Sequence, residues 1–157
     1  MRKNSYKLYR IVSGVIISDN KILLVQNKDE YGNYLWSLPG GVVEDGESLE
    51  DALIREIYEE VGLKVKEKQL IYIHESFIPE HSAQILVTVF QVTINDGNPK
   101  PNDPDEEIVQ VKWVLINDVQ NYITHSAVAS PLKRWLETRK SFYSVDKNLT
   151  WDYKESD

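Results

Sequence analysis

Gly41–Leu63 reads GVVEDGESLEDALIREIYEEVGL, and this stretch decides the reading of the chain. Its second half has the marks of a helix over Ser48–Val61. Ser48 is a good N-cap residue, Asp51 three places on completes an S-x-x-[DE] capping pattern, and Gly62 suits the left-handed stop at a helix end. At about 100° per residue, Leu49, Ala52 and Leu53 share a stripe with Glu56, Glu59 and Glu60, while Ile54, Ile57 and Val61 form a second apolar stripe. The glutamates therefore continue a line that begins as buried contact. Carboxylates at i, i+3 and i+4 repel one another, and partial burial sharpens the conflict. A divalent cation removes it, because a hard ion such as Mg²⁺ takes oxygen ligands and keeps waters that substrate phosphates replace. The plain alternative is a solvated acidic face, and three glutamates alone do not exclude it.

The flanking loop adds to the case. Leu38-Pro39-Gly40-Gly41 leads into the helix region, and paired glycines let the backbone approach a ligand closely. In Glu44-Asp45-Gly46-Glu47, Gly46 suits a tight turn that returns Glu47 toward the glutamate face.

The spacing G-x5-E-x7-R-E-U-x-E-E-x-G-U, with U a large aliphatic residue, is met at Gly41, Glu47, Arg55, Glu56, Ile57, Glu59, Glu60, Gly62 and Leu63. Trp36-Ser37-Leu38-Pro39-Gly40-Gly41 and the later Val111-Lys112-Trp113-Val114 with Asp118-Val119 agree with the same pattern. On these residues the chain resembles the Nudix hydrolases over most of its length. The resemblance implies an enzyme that cleaves the pyrophosphate bond of a nucleoside diphosphate linked to another group, with Mg²⁺ or Mn²⁺ as cofactor. Carried over by position, Glu59 and Glu60 are metal ligands, with the Gly40 carbonyl a further one. Glu56 is a ligand or the general base, Arg55 holds a glutamate through a bidentate ion pair, and Glu47 is either an additional metal contact or a group that braces the ligands from behind. The family often adds a carboxylate from outside this segment. Glu106 and Glu107, in the run Asp103–Glu107, stand nearest by position, and Glu107 is the second choice for the base. Glu75 and Glu80 are weaker choices.

The substrate is less defined. A nucleoside triphosphate is the first expectation for so compact a chain; ADP-ribose or a dinucleotide is the second. Pro79, sixteen residues beyond Leu63, resembles a feature of ADP-ribose-cleaving members, although Phe77-Ile78-Pro79-Glu80 lacks their fuller motif. Among the aromatics Tyr31, Tyr34, Trp36, Tyr72 and Phe77, we take Tyr34 and Phe77 as candidates to stack on a base; such side chains more often belong to a core. His74, His81 and His125 lack metal-ligand spacing and read as structural or exposed. Two readings of other classes remain. A non-catalytic nucleotide-sensing domain would show a damaged motif or a fused DNA-binding module. An isomerase of isoprenoid diphosphates would call, by resemblance, for a catalytic thiol.

Bulk properties bound the rest. The 157 residues suit one domain, and 41% of them are apolar, enough for a core. With 18 basic and 25 acidic residues the net charge is −7, which fits a small nucleotide substrate better than a nucleic acid polymer. The absence of cysteine excludes disulfides, a thiol nucleophile and thiolate metal sites, and fits a reducing cytoplasm. No apolar run approaches the roughly 18 residues of a spanning helix, and the basic start Met1–Tyr6 leads into no signal-peptide core.

Along the chain, Tyr9–Ile17 and Lys21–Gln26 read as a hairpin through Ser18-Asp19-Asn20. Leu35–Leu38, Gln69–Ile78, Gln84–Ile94 and Ile108–Ile116 read as further strands, and Asn95–Pro104 as a loop. Asp118 caps a short helix, and Pro131–Lys140 reads as another. The expected fold class is α/β, a Nudix-like α/β/α sandwich with a central mixed β-sheet. The aromatic tail Ser141–Asp157 is expected to dock on its own domain, the alternatives being a lid or the contact of a homodimer.

Overall fold

The computed structural model describes residues 5–95 and 97–150. The basic start Met1–Asn4 and the tail aromatics Trp151 and Tyr153 lie outside the described residues. Nine strands, three α-helices and two single-turn 3-10 helices are seen among those described. Lys7–Val15 (β1), Gly40–Val42 (β5), Val65–Ile78 (β6), Ala83–Ile94 (β7) and Phe142–Asp146 (β9) form a five-stranded sheet in the order β5-β1-β7-β6-β9. Pairing is parallel for β1 with β7 and β6 with β9, and antiparallel for the others, so the sheet is mixed. In a second sheet, Lys21–Lys28 (β3) pairs antiparallel with Ile17–Ser18 (β2), Tyr34–Ser37 (β4) and Ile108–Leu115 (β8). The helices are Leu49–Val61 (α1), Val119–Tyr122 (α2) and Ser126–Thr138 (α3).

The layering follows from side-chain alternation. In β3, Leu23 and Val25 enter the core beneath α1, with Val12, Leu53, Ile57 and Phe90. Their neighbours Ile22 and Leu24 point the other way, to Val89, Leu132 and Trp135 beneath α2 and α3. A strand buried on both faces reads as a continuous apolar run, and Ile22-Leu23-Leu24-Val25 is one. The helices thus sandwich the sheets, as the expected fold class requires.

Three expectations are revised in detail. Only Ile17 and Ser18 pair back on β3; the rest of the first run, β1, pairs with β7 instead, and Asp19 and Asn20 take positive φ at the turn. The last helix begins at Ser126, so Pro131 lies inside it rather than at its start. In α1, Ile57 and Val61 join Ala52 and Leu53 on one buried face, and Ile54 is exposed. The expected caps of α1 do form: the Asp51 N–H donates to Ser48 Oγ (3.0 Å), and Gly62 ends the helix at φ 72°. Asp118 stands at the N-cap position of α2 but, against expectation, makes no side-chain capping bond there.

Close contact between α1 and β1 requires Gly14, where a Cβ would lie 2.9 Å from Ile57 Cδ1. At its other end, the C-terminal carbonyls of α1 are met by the loop before β8. Lys100 N–H donates to Val61 O (3.2 Å) and Asn102 N–H to Glu60 O (3.0 Å). The described part of the tail pairs with β6 through β9, where Phe142 stacks on Tyr72 with centroids 4.9 Å apart. Because α1 is held by its apolar face, Leu53→Ala is expected to cost about 2–5 kcal/mol. Urea denaturation followed by circular dichroism measures this.

Candidate functional site

The site forms where α1 faces β5. Arg55 is its hub. Its Nε and Nη2 donate to the two oxygens of Glu47 (2.8 Å each), its Nη1 to Glu56 Oε1 (2.8 Å) and Glu59 Oε2 (3.2 Å), and Nη2 also to Val42 O (3.1 Å). A guanidinium has five N–H groups, and these five bonds use them all. The Glu47 contact is bidentate, as expected of Arg55, and holds the Glu47 carboxyl down at about 2. The neighbouring glutamates in turn raise the Arg55 pKa. The turn before Glu47 closes on itself, with Glu44 N–H donating to Glu47 Oε1 (2.9 Å).

Glu60 has a different environment. It is 9% exposed and accepts a hydrogen bond from Gly40 N–H at Oε2 (3.0 Å). Burial pushes its carboxyl up to about 8, opposed by the Gly40 bond and reinforced by the negative charges of Glu56, Asp103 and Glu107. Burial likewise raises Glu56, against the pull of Arg55. The two glycines make this proximity sterically feasible. A Cβ on Gly41 would fall 2.5 Å from Glu56 Oε1, and one on Gly40 would fall 2.0 Å from Val12 O.

The structure therefore brings together Gly40, Glu47, Arg55, Glu56, Glu59 and Glu60, with Glu107 near enough to act on Glu60. Asp103, which sequence reasoning did not single out, organises that approach: its Oδ1 accepts from Asp105 N–H, and its Oδ2 from Glu107 N–H and Ile108 N–H (3.0, 2.8 and 3.2 Å). The signal was its place at the head of the acidic run, where an Asp suits a turn. Glu106 is exposed at φ 55°. Glu75 is engaged elsewhere, accepting from Tyr143 Oη (2.7 Å) and Gln84 Nε2 (2.6 Å).

The oxygen donors suit a hard cation, and the crowded carboxylates exceed the charge of Arg55. Their present arrangement is not a finished cage. Among the described residues no three acidic or histidine side chains converge closely enough to hold an ion. Oxygens of Glu56 and Glu59 stand on Arg55 instead.

On the far side of the glycines lies a cavity of about 190 Å³. Its floor is two cross-strand rows, Tyr72–Val89–Ser13–Gly40 and His74–Val87–Ile11, and Val128 of α3 covers it. Tyr34 and Phe77 do not line it. Tyr34 is exposed on β4 near Lys28, and Phe77 packs edge-on against Tyr6. His74, read from sequence as structural or exposed, is buried on this floor. Its alternation with Tyr72 and Ser76 on the inner face of β6 was the available sign.

Comparison with known proteins agrees with this geometry. The sequence model of the NUDIX domain matches residues 8–136. The chain is 36% identical to an ADP-ribose pyrophosphatase of Methanocaldococcus jannaschii, covering 86% of this chain and 83% of that one. Among solved structures, a MutT protein from Bacillus halodurans superposes with a TM-score of 0.74 at 23% identity, covering 88% and 89% of the two chains. A MutT structure from work on Aliivibrio salmonicida and Vibrio cholerae gives 0.66 at 32% identity, covering 83% and 98%.

The raised Glu60 carboxyl has a thermodynamic consequence. Between its ordinary value near 4.5 and about 8, the folded metal-free protein holds a proton that the unfolded chain releases. Stability from this group is therefore complete below the lower value and lost as pH rises through the upper one. The melting temperature of the metal-free protein should fall from about pH 5 to about pH 8. Glu60→Gln should flatten that slope, as read by calorimetry across the pH series.

Proposed function

The chain belongs to the Nudix family of pyrophosphohydrolases, and on that premise we propose that it cleaves the pyrophosphate bond of a nucleoside diphosphate linked to another group, with a divalent cation as cofactor. The observation that carries this reading is the buried Glu60, crowded by Glu56, Asp103 and Glu107 beside the Gly40–Gly41 strand. Such crowding is costly for the bare protein and favourable around a cation.

Glu56, Glu59 and Glu60 would hold the ion, with Glu47 and the Gly40 carbonyl beside them. Mg²⁺ or Mn²⁺, when bound, supplies charge neutralisation for diphosphate oxygens and lowers the pKa of water. The chain's own groups do the rest. Glu56 is half-buried with a raised pKa, which suits a base that accepts a proton from the attacking water. Glu107 is the second choice for that role. Arg55 keeps Glu47 and the Val42 carbonyl fixed to α1, so the strand and the helix stay in register. Gly41 leaves the Glu56 carboxylate room against the backbone.

Within this class, ADP-ribose is the first substrate to assay, ahead of the nucleoside triphosphate expected from compactness. The relative from Methanocaldococcus jannaschii carries that activity in its name, and Pro79 resembles the ADP-ribose-cleaving members. A small nucleotide rather than a polymer, and a reducing cytoplasmic setting, are supported by the net charge of −7 and the absence of cysteine. Among the described residues no helix is long and apolar enough to cross a membrane.

The test is a panel of ADP-ribose, dinucleotides and nucleoside triphosphates in excess Mg²⁺ or Mn²⁺, with products identified by mass. Glu56→Gln and Glu60→Gln should each slow cleavage by about 10²–10⁴ or more. Near wild-type turnover in both variants would remove this mechanism, and products with every phosphoanhydride intact would redirect the reading to a sensor.

A further inference from the structure

Residues 100–107 form a strut between the end of α1 and the start of β8. Its near end is bonded to the last turn of the helix. Lys100 N–H reaches Val61 O, Asn102 N–H reaches Glu60 O, and Asn102 Nδ2 donates to Tyr58 O (3.1 Å). Tyr58 O already accepts from Gly62 N–H (2.9 Å), so the Asn102 side chain adds a second bond to a carbonyl that the helix stop has satisfied. The far end is fixed to β3, where Lys28 N–H donates to Glu107 O (2.8 Å). Between the two ends Asp103 bends the chain, with one oxygen on Asp105 N–H and the other on Glu107 and Ile108 N–H. Glu106 completes the bend at φ 55°. A side chain rarely takes that left-handed conformation, and it persists where the surroundings impose it.

Capping alone does not account for this strut. A helix C-terminus carries partial negative charge, and the last turn of α1 holds no basic residue to offset it. The strut nevertheless sets two acids against that end, where the charges of Asp103 and Glu107 oppose ionisation of the buried Glu60. Charge works against the placement in the bare protein, and the N–H donors of Lys100 and Asn102 hold it. The two acids differ in what they have left to give. A carboxylate offers about four acceptor sites, and Asp103 commits three of them to the N–H groups of its own loop. The Glu107 carboxylate makes no hydrogen bond or ion pair among the described residues.

We propose that Asn102 and Asp103 are positioning residues that carry the Glu107 carboxylate to the cation beside Glu60, Asn102 by fastening the strut to α1 and Asp103 by bending it. Asp103 is on this view no ligand itself. The proposal deepens the hydrolase reading and rests on it for the presence of a cation.

The experiment titrates Mn²⁺ alone into the full chain, with no nucleotide, and measures the free ion by electron paramagnetic resonance. Thermal melts followed by circular dichroism confirm that each variant is folded. Glu107→Gln should weaken Mn²⁺ binding. Asn102→Ala and Asp103→Ala should each weaken it by about three- to tenfold in the parent chain, and by less than about twofold when added to Glu107→Gln. Asp103→Asn, which keeps an oxygen for Glu107 N–H, should bind closer to the parent than Asp103→Ala does. Unchanged affinity in Glu107→Gln, or in both alanine variants, would overturn the proposal. So would an equal loss with and without Glu107, which marks a purely structural role, or an Asp103→Asn loss as large as that of Asp103→Ala, which marks a ligand. A chain that binds no Mn²⁺ would overturn the hydrolase reading as well. Mn²⁺ binding with the expected coupling, but with every phosphoanhydride in the substrate panel left intact, would defeat the hydrolase reading alone.

Discussion

The arrangement depends first on one guanidinium. Arg55 is surrounded by carboxylates and has no spare donor: the fork takes Glu47 on one edge, Glu56 and Glu59 on another, and the Val42 carbonyl beside them. A planar, always-charged group can satisfy acids from a loop and a helix at once, whereas an ammonium on a flexible stem cannot match that geometry. The fork also divides the acids into two kinds. Glu47 is held as a carboxylate, while Glu60, out of its reach and 9% exposed, tends toward the protonated form. Acids with such opposed tendencies beside one strand can hold positive charge without collapsing into a single salt bridge.

That division needs backbone at close range, which explains the two glycines. Gly40 lends its N–H to Glu60 and leaves no side chain to collide with the Val12 carbonyl; Gly41 gives the Glu56 carboxylate a flat wall. The strand carrying them is fastened to β1 at both of its ends, by Gly14 N–H donating to Pro39 O and Val43 N–H donating to Arg10 O, at 2.9 Å each. The core beneath α1 then sets the height of the glutamates above the strand. Chemistry and packing are in this sense one construction.

Much of this was legible in the sequence because it is local. The Ser48 cap, the Gly62 stop, the spacing of the acids and a bidentate glutamate partner for Arg55 are set within two dozen residues, although the sequence did not say that the partner is Glu47. What escaped was long-range pairing. Nothing near Tyr9 says that its strand runs parallel to β7 rather than back on β3, because the partner is some seventy residues away. Pro131 favoured a helix start by its fixed φ, yet the helix began a turn and a half earlier at Ser126, and its tertiary contacts tolerate the missing hydrogen bond. Tyr34 and Phe77 were chosen by type and proximity in sequence. The cavity beside the glycines is lined by Tyr72 and His74 instead, whose inward aim depends on the register between β6 and β7.

The short last strand has an additional role. β6 spans fourteen residues and borders β7 on one side; on the other, β9 covers only Tyr72–Ser76. Without that cover, the middle of a long strand would present a bare row of amide and carbonyl groups, a template for foreign strands. With it, the outermost strand of the sheet is five residues long. Short edges of this kind resist strand-by-strand aggregation, so among the described residues β9 shields Tyr72–Ser76 of β6 from pairing with a foreign strand.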